Sequence, residues 1–392
     1  MSFEPLTSDF YGFQEFLSDA EKEFLGRLRH EVLTKLAPIV NENWERAEFP
    51  REIIDVLHGV GAIGLAAPES APFANSAVFR GWVCLELARI DASIATYLAV
   101  QSGLTMGTIQ ACGSPQQRAE WLPKLASGEV IGAFGLTEPS SGSDAARGLQ
   151  TTASKRGDEW VLNGSKRWIG NATFSDITII WAKSTHDGEV KGFIVPTQTP
   201  GYSATKIEGK QALRIVQNAD ITLNDVVVPE SLRLHEANTF ADTARVLRLT
   251  RAEVAWEAVG VAVGAYEAAL AYSKSRTQFG KPLAKHQLIQ DLLVRCMGDI
   301  TSSIALCTRA SQMLDEGSQR DEHSALAKAV ATVRMRETVA RCREILGGNG
   351  IVLDYNVARF FADAEALYSY EGTREVNTLI VGRALTGEAA FV

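Results

Sequence analysis

The hydrophobic period of the chain changes twice, and this change constrains the fold more than any other sequence feature. Residues 18–128 carry apolar side chains at helical spacing, beginning with a capping box formed by Ser18 and Glu21. Residues 130–235 contain short segments of alternating polarity, and helical periods return from about residue 240. The order predicts an α+β multidomain protein. The expected domains are 1–129, 130–236 and 237–392.

The middle segment has short predicted strands without intervening helices, separated by turn signals that include Asn163-Gly164. This pattern favours an antiparallel β-barrel or sandwich over a parallel nucleotide-binding sheet. No Gly-x-Gly-x-x-Gly motif follows any predicted strand. After the middle segment, long amphipathic segments joined by short turns predict a four-helix-type bundle. The expected order is therefore an N-terminal helical domain, a middle β-domain and this C-terminal bundle.

Composition excludes several function classes. The 392 residues carry a net charge of −8, from 39 basic and 47 acidic side chains, so bulk electrostatics should attract neither nucleic acid nor an anionic membrane. Five cysteines without a Cys-x-x-Cys pair indicate free thiols in a reducing compartment, and six isolated histidines indicate no metal site. The termini show no signal peptide or peroxisomal address, and charges interrupt the apolar tracts. We expect a cytoplasmic protein that does not enter a membrane.

The segment Gly132–Asp144 begins as an apolar run and becomes a turn rich in Ser, Gly and Pro, with two acids. A strand that ends in such a loop is typical of a ligand site, but a loop at a domain boundary has the same local chemistry. Glu138 and Asp144 could form an acid/base pair or act as scaffolding for this loop. Both alternatives remain open from the segment alone.

Five motifs in a fixed order resemble the acyl-CoA dehydrogenase and oxidase family of flavoproteins. They are Phe-Gly-Leu-Thr-Glu-Pro-Ser-Ser-Gly-Ser-Asp (134–144), Asn-Gly-Ser-Lys-Arg-Trp-Ile-Gly-Asn (163–171), Arg-Thr-Gln-Phe-Gly (276–280), Leu-Gly-Gly-Asn-Gly (346–350) and Tyr-Glu-Gly-Thr (370–373). Each motif alone is weak, but in this order and at these separations they are strong, and the resemblance covers nearly the whole chain. The resemblance is greatest to the branch that holds glutaryl-CoA dehydrogenases and plant-type short-chain acyl-CoA oxidases.

The resemblance implies FAD bound between the middle β-domain and the C-terminal helices. The implied FAD-binding residues are Phe134, Leu136, Thr137, Gly142, Ser143, Trp168, Ile169, Gly170, Arg276, Gln278, Phe279, Glu344, Gly347, Gly348, Thr373 and Glu375. In the family, the arginine at the position of Arg276 and the glycine loop contact the FAD of a neighbouring subunit. The resemblance therefore implies a homotetramer built as a dimer of dimers.

The same resemblance implies that Glu371 is the base that removes the α-proton of an acyl-CoA thioester. That proton is too weak an acid to leave unaided, so the reaction needs a base, a polarised carbonyl and a hydride acceptor. A dry pocket should raise the pKa of the Glu371 carboxyl and so suit it to this role. The implied substrate-binding residues are Ser143, Arg251, Tyr370 and Gly372. Arg251 could instead belong to a solvated face with Arg245 and Arg248.

The expected reaction is α,β-dehydrogenation of a short or branched monocarboxylic acyl-CoA, with electrons passed to an electron-transfer flavoprotein. Ala95 stands where glutaryl-CoA members carry the arginine that binds the distal carboxylate, so glutaryl-CoA is not the expected substrate. Gly170 replaces a Thr or Ser that many members have, and Trp-Ile-Gly-Asn is oxidase-like, so an oxidase that uses oxygen is an alternative. A flavin-retaining binding or DNA-protecting protein, a flavin monooxygenase and a nitroalkane oxidase are further alternatives, against which Glu371 argues.

Overall fold

The computed structural model describes residues 3–390. The N-terminal part is helical. Its capping box is confirmed, since the Ser18 hydroxyl accepts a hydrogen bond from the Glu21 N–H and the Glu21 carboxylate accepts one from the Ser18 N–H. The α-helices are α1 (Asp19–Glu31), α2 (Val40–Arg46), α3 (Glu52–Gly59), α4 (Ala77–Ile90), α5 (Ala92–Leu98), α6 (Gly107–Cys112) and α7 (Pro115–Ser127).

A wider helical segment, Ala99–Met106, joins α5 to α6 and packs against the first strand of the middle part, Gly132–Gly135, and the long C-terminal helix Phe240–Ser275. Asp91 separates α4 from α5 because its side chain accepts a hydrogen bond from the Ser93 N–H at 2.7 Å. Almost every side chain of α4 and α5 is buried. These helices therefore form the wall between the N-terminal part and the rest of the molecule.

The middle part is a seven-stranded curled sheet, with one short helix, α8 (Ala145–Gly148), in the loop after its first strand. The strands are β1 (Gly132–Gly135), β2 (Thr152–Arg156), β3 (Glu159–Ile169), β4 (Ile177–Ser184), β5 (Val190–Pro196), β6 (Tyr202–Lys206) and β7 (Ala219–Pro229). They run in the order β1-β4-β2-β3-β7-β6, with β5 paired to β4. Most pairs are antiparallel, as predicted, but β1 and β2 both pair parallel to β4.

The turn expected at Asn163-Gly164 is wrong. β3 continues through both residues and pairs with β7, with a shift of register between Leu162 and Gly164. A Cβ at Gly164, where φ is +147°, would lie 2.7 Å from the Thr151 Cα. The glycine therefore permits a β-bulge and close backbone approach, rather than a reversal of the chain.

The C-terminal part is a helical bundle, as predicted, and the long helix Phe240–Ser275 lies at its centre. Its elements are α9 (Phe240–Ser275), the hairpin β8 (Thr277–Gln278) and β9 (Lys281–Pro282), and the helices α10 (Gln287–Asp315), α11 (Asp321–Leu346), α12 (Val357–Ser369) and α13 (Arg374–Thr386). Contrary to the expectation that charges break every apolar tract, α9 is long and apolar enough to cross a bilayer by composition. However, 78% of that apolar window is buried inside the protein. Packing against α4 and α11 accounts for its composition.

All five cysteines are buried and free. Among residues 3–390, no group of three or more His, Cys, Asp or Glu side chains is placed to hold a metal ion.

Candidate functional site

The loop Tyr370–Thr373, between α12 and α13, places Glu371 against the long helix α9. Glu371 has a positive φ of 52°, which is uncommon for a residue with a side chain and indicates a conformation that its surroundings impose. Thr250 on α9 donates a hydrogen bond from its hydroxyl to Glu371 Oε2 at 2.8 Å. Gly372 follows with φ +82°. The Glu371 carboxylate is thus fixed by a bond to a rigid helix.

Two side chains hold the backbone of this loop. The Lys328 ammonium group on α11 donates hydrogen bonds to the carbonyl oxygens of Tyr370 and Gly372. The Asn377 side-chain amide on α13 donates to the carbonyls of Gly372 and Thr373 at 2.9 and 3.0 Å. Among the described residues, the backbone N–H of Glu371 donates no hydrogen bond. One donor of the loop therefore remains available beside the carboxylate.

Burial and the neighbouring polar groups act in opposite directions on the pKa of Glu371. Desolvation by the surrounding protein raises the pKa of the half-buried Glu371 carboxyl, whereas the Thr250 hydroxyl, Lys328 and Arg251 lower it. Burial lowers the pKa of Lys328 to about 7 and also lowers the pKa of Arg251. In the described part of the chain, Arg251 Nε has no hydrogen-bond partner. Arg251 is thus an electrostatic neighbour of Glu371, and the solvated face considered for it is incorrect.

Two further carboxylates, Glu253 and Glu257, lie on α9 near Glu371. The Tyr370 hydroxyl donates to Glu257 Oε2, and Glu257 is fully buried. Burial raises the pKa of Glu257 to about 8 and that of Glu253 to about 7. Sequence reasoning missed both residues, together with Thr250 and Lys328. Their polar positions on an otherwise apolar helix were the signal that could have identified the two glutamates.

In the Gly132–Asp144 segment, Glu138 is a structural residue. Its buried carboxylate accepts hydrogen bonds from the backbone N–H groups of Gln150 and Thr151, at 2.7 and 2.9 Å, and from the Lys166 ammonium at 2.8 Å. Burial lowers the pKa of Lys166 to about 8. Asp144 accepts a hydrogen bond from the Ser141 hydroxyl at 2.8 Å. These contacts favour the scaffolding interpretation over an acid/base pair.

Trp168 lies at the end of β3 and has an unusually exposed ring for its size, at 51%. Its φ is +66°, and the Arg167 guanidinium lies 5.0 Å from the ring centroid. Phe134 and Leu136 are buried, and β1 stands at one end of the strand order. The remaining predicted residues of this region divide into the exposed Gly142 and Ser143, the half-buried Thr137, and the buried Ile169 and Gly170. The exposed Trp168, Gly142 and Ser143, with the half-buried Thr137, form the Trp168 surface, which has an aromatic face and an accessible loop.

The predicted residues of the C-terminal part lie in three places. Thr373 caps α13, since its hydroxyl accepts a hydrogen bond from the Val376 N–H at 3.3 Å, and Glu375 is exposed in the first turn. The other residues are exposed on the hairpin and at the end of α11, namely Arg276, Gln278, Phe279, Glu344, Gly347 and Gly348. Within the described chain, no hydrogen bond, ion pair or ring contact joins the hairpin or the glycine loop to the Trp168 surface. The single chain does not bring these groups together.

Comparison with known proteins accounts for all three parts of the chain. Residues 18–129, 133–226 and 240–386 match family models described as the acyl-CoA dehydrogenase N-terminal, middle and C-terminal domains. A short-chain specific acyl-CoA dehydrogenase of Megasphaera elsdenii is 36% identical over 382 residues, 94% of this chain and 98% of that protein. The caffeyl-CoA reductase–Etf complex subunit CarC of Acetobacterium woodii is 32% identical, over 88% of this chain and 93% of that protein.

Solved structures agree with these matches. A glutaryl-CoA dehydrogenase from Mycobacterium smegmatis, in complex with FADH2, is similar with a TM-score of 0.94 and 34% identity. The similarity covers 98% of both chains. The three-part fold of this chain is therefore the fold of that enzyme.

Proposed function

Because the chain belongs to the acyl-CoA dehydrogenase family, we propose that it catalyses FAD-dependent α,β-dehydrogenation of an acyl-CoA thioester to the trans-2-enoyl-CoA. The observation that carries the proposal is the placement of Glu371. A carboxylate in a loop of imposed conformation, bonded to Thr250 and desolvated by the protein, has the properties of a general base. Glu371 removes the α-proton of the substrate.

The residues around Glu371 support the chemistry of proton removal. Its free backbone N–H is a donor for the thioester carbonyl, on which negative charge develops as the α-proton leaves. Arg251 and Lys328 favour the charged form of Glu371 before the proton is taken. The hydrogen bonds from Lys328 and Asn377 hold the loop so that the N–H and the carboxylate keep their relative positions.

The residues present fit an FAD isoalloxazine ring. An exposed tryptophan at a left-handed position offers a flat apolar face, and the exposed Gly142 and Ser143 leave the neighbouring loop open. Bound FAD supplies the acceptor for the β-hydrogen, as a hydride. Phe134, Leu136, Thr137 and Trp168 would hold the ring, and Thr373 would lie near it. A Cβ at Gly170 would lie 3.3 Å from Val100 Cγ2, so a larger side chain there is accommodated only if Val100 shifts.

We propose that the acyl group is short or branched and monocarboxylic, so that the thioester carbonyl is its only carboxyl-derived group. Ala95 is fully buried and offers no cation to a second carboxylate, although a similar structure is a glutaryl-CoA dehydrogenase. A relative named for its Etf complex supports an electron-transfer flavoprotein as the electron acceptor. Acyl-CoA oxidase activity is the second candidate, favoured by the oxidase-like Trp168-Ile169-Gly170-Asn171 sequence.

We propose a cytoplasmic homotetramer, assembled as a dimer of dimers. The exposed Phe279, at 94%, and the exposed glycines of the loop after α11 support a contribution of these residues to the FAD site of a second subunit. This placement accounts for the separation of the hairpin from the Trp168 surface in one chain.

The test is anaerobic mixing of the FAD-loaded protein with butyryl-, isobutyryl-, octanoyl- and glutaryl-CoA. Loss of the flavin absorbance with a short monocarboxylic acyl-CoA, and formation of the enoyl-CoA, is the expected result. Faster reaction with glutaryl-CoA would contradict the monocarboxylic assignment. Repeating the assay in air with an artificial acceptor distinguishes the two candidates, because an oxidase releases peroxide at the rate of substrate turnover.

A further inference from the structure

A small cavity that reaches Glu253 on α9 has an unusual polar wall. It is lined by Arg80, Leu98, Ser102 and Glu253, together with apolar side chains that include Val83 and Leu65. Glu253 is half-buried, and in the described part of the chain its carboxylate accepts no hydrogen bond and makes no ion pair within 4 Å. A carboxylate in a low-dielectric cavity without a partner is costly. This cost indicates a ligand group that would bind the Glu253 carboxylate.

The cavity lies on the same face of α9 as the proposed base. Thr250, which binds Glu371, and Glu253 are one helical turn apart, and both approach Gly103. A Cβ at Gly103 would lie 2.5 Å from Glu253 Oε2 and 3.4 Å from Thr250 Cγ2. Three residues of helix advance by about 4.5 Å, which is the scale of a short acyl chain. Glycine at 103 therefore makes room for the Glu253 side chain at acyl-chain distance from the base.

Charge selects among the groups that could reach Glu253. A second carboxylate is repelled by Glu253 and Glu371, and a methyl group leaves Glu253 unsatisfied. An ammonium group would pair with Glu253 but would be repelled by the guanidinium of Arg80. This guanidinium lowers the pKa of Glu253 and donates a hydrogen bond to the Asn75 side-chain oxygen at 2.9 Å. A hydroxyl can donate to Glu253 and accept from Arg80 at the same time.

We propose that Glu253 and Arg80 recognise a hydroxyl group near the distal end of a short acyl-CoA substrate. The proposal rests on the proposed dehydrogenase function and deepens it, because it names the acyl class. Glu253 supplies the acceptor and Arg80 the donor, so a hydroxyacyl group gives Glu253 the partner that an unsubstituted chain leaves missing and adds an acceptor for Arg80 beside that of Asn75.

The experiment measures anaerobic flavin reduction in the FAD-loaded protein with 4-hydroxybutyryl-, 5-hydroxypentanoyl-, butyryl-, pentanoyl- and 4-aminobutyryl-CoA. At least one hydroxyacyl-CoA should exceed its unsubstituted counterpart in kcat/KM by about tenfold or more, since a hydrogen bond to a charged group is worth about that factor. Equal or faster reaction with the unsubstituted or amino substrates overturns the proposal. Reduction by none of the acyl-CoAs refutes the dehydrogenase function itself.

Variants separate recognition from folding. Glu253→Leu should abolish the preference and speed the reaction of butyryl-CoA, whereas Glu253→Gln, which keeps an acceptor oxygen, should retain part of the preference. Val83→Ala is the matched control, because it enlarges the same cavity without removing a polar group and should leave the hydroxyl preference intact. An unchanged preference in Glu253→Leu, with the flavin spectrum and circular dichroism of the wild type, would contradict the assignment.

Discussion

The Thr250 hydroxyl lies 2.8 Å from Glu371 Oε2 and joins α9 to a loop 121 residues later in the chain. The bond stabilises the charged form of a carboxylate whose pKa burial raises. The same residue of α9 thus fixes the position of the proposed base and lowers its pKa. Thr250 is also close to the cavity that contains Glu253, so α9 connects the base with the proposed acyl site.

Thr250→Val should raise the pKa of Glu371, because the variant loses a hydrogen bond to the carboxylate but keeps nearly the same shape. The profile of kcat/KM rises with pH as Glu371 loses its proton, and in the variant this rise should move to higher pH. A hydrogen bond to a charged group is worth about 1.5–3 kcal/mol, so activity on the acidic side should fall by on the order of tenfold.

The control for this variant is Thr243→Val on the same helix. The Thr243 side chain is also buried, but within the described residues its hydroxyl has no hydrogen-bond partner. The control should leave the pH profile at its wild-type position. Equal profiles for wild type and Thr250→Val would show that the Thr250 bond does not set the acidity of the base.

Lys328→Met should lower both activity and thermal stability, because it leaves the Tyr370 carbonyl without its donor and the Gly372 carbonyl with only the Asn377 amide. Burial lowers the pKa of Lys328 to about 7, below its ordinary value of 10.5. Between these pH values the unfolded chain binds the additional proton, so the stability contributed by Lys328 rises with pH. The difference in melting temperature between wild type and Lys328→Met should therefore grow from pH 7 to pH 10. The exposed Lys35→Met is the control.

Glu257→Gln should stabilise the protein at alkaline pH. Burial raises the pKa of Glu257 to about 8, against an ordinary value of 4.5, so the folded state holds the additional proton between these values. Its contribution to stability is consequently lost as pH rises through about 8, and glutamine avoids that loss. Melting temperatures should be similar at pH 5 and higher for the variant at pH 9. A variant less stable than wild type at pH 9 would contradict the assigned protonation.

Arg276→Ala tests the proposed subunit arrangement. If the hairpin residue contacts the FAD of another subunit, the variant should bind FAD at least tenfold more weakly, since a charge-assisted contact to phosphate is worth about 1.5–3 kcal/mol. Arg295→Ala, an exposed arginine on α10, is the control. Co-expression of Arg276→Ala with a variant defective at Trp168 should restore one intact FAD site per dimer, as measured by bound flavin. No restoration would indicate that both residues serve the same chain's site.

The three-part fold could be predicted because the hydrophobic period of the chain changes at both boundaries of the middle part. The sheet could not be predicted in detail. Gly164 has the sequence of a hairpin turn, yet it lies within β3, because the contact that selects a bulge is made with Thr151, which local sequence does not specify. Parallel pairing of β1 and β2 with β4 likewise depends on contacts between distant segments.

For the site, the resemblance of short motifs identified Glu371, and the structure supplies the neighbours that give it its properties. Thr250 and Lys328 carry no motif and reach Glu371 and its loop from two different helices. Glu253 and Glu257 interrupt an apolar helix, and their significance depends on which face they occupy. One-dimensional periodicity does not supply that information when a helix is buried on nearly all sides.

Removal of the α-proton by Glu371 is tested most directly by anaerobic stopped-flow reduction of the bound flavin by butyryl-CoA in wild type and Glu371→Gln. Glu365→Gln, which changes an exposed carboxylate paired with Arg336, serves as the control. If Glu371 is the base, Glu371→Gln should retain FAD and bind the acyl-CoA, but its flavin should be reduced at least 10²-fold more slowly, in the range of general-base contributions of about 10²–10⁴. Flavin reduction in Glu371→Gln at a rate near that of wild type and Glu365→Gln would contradict it.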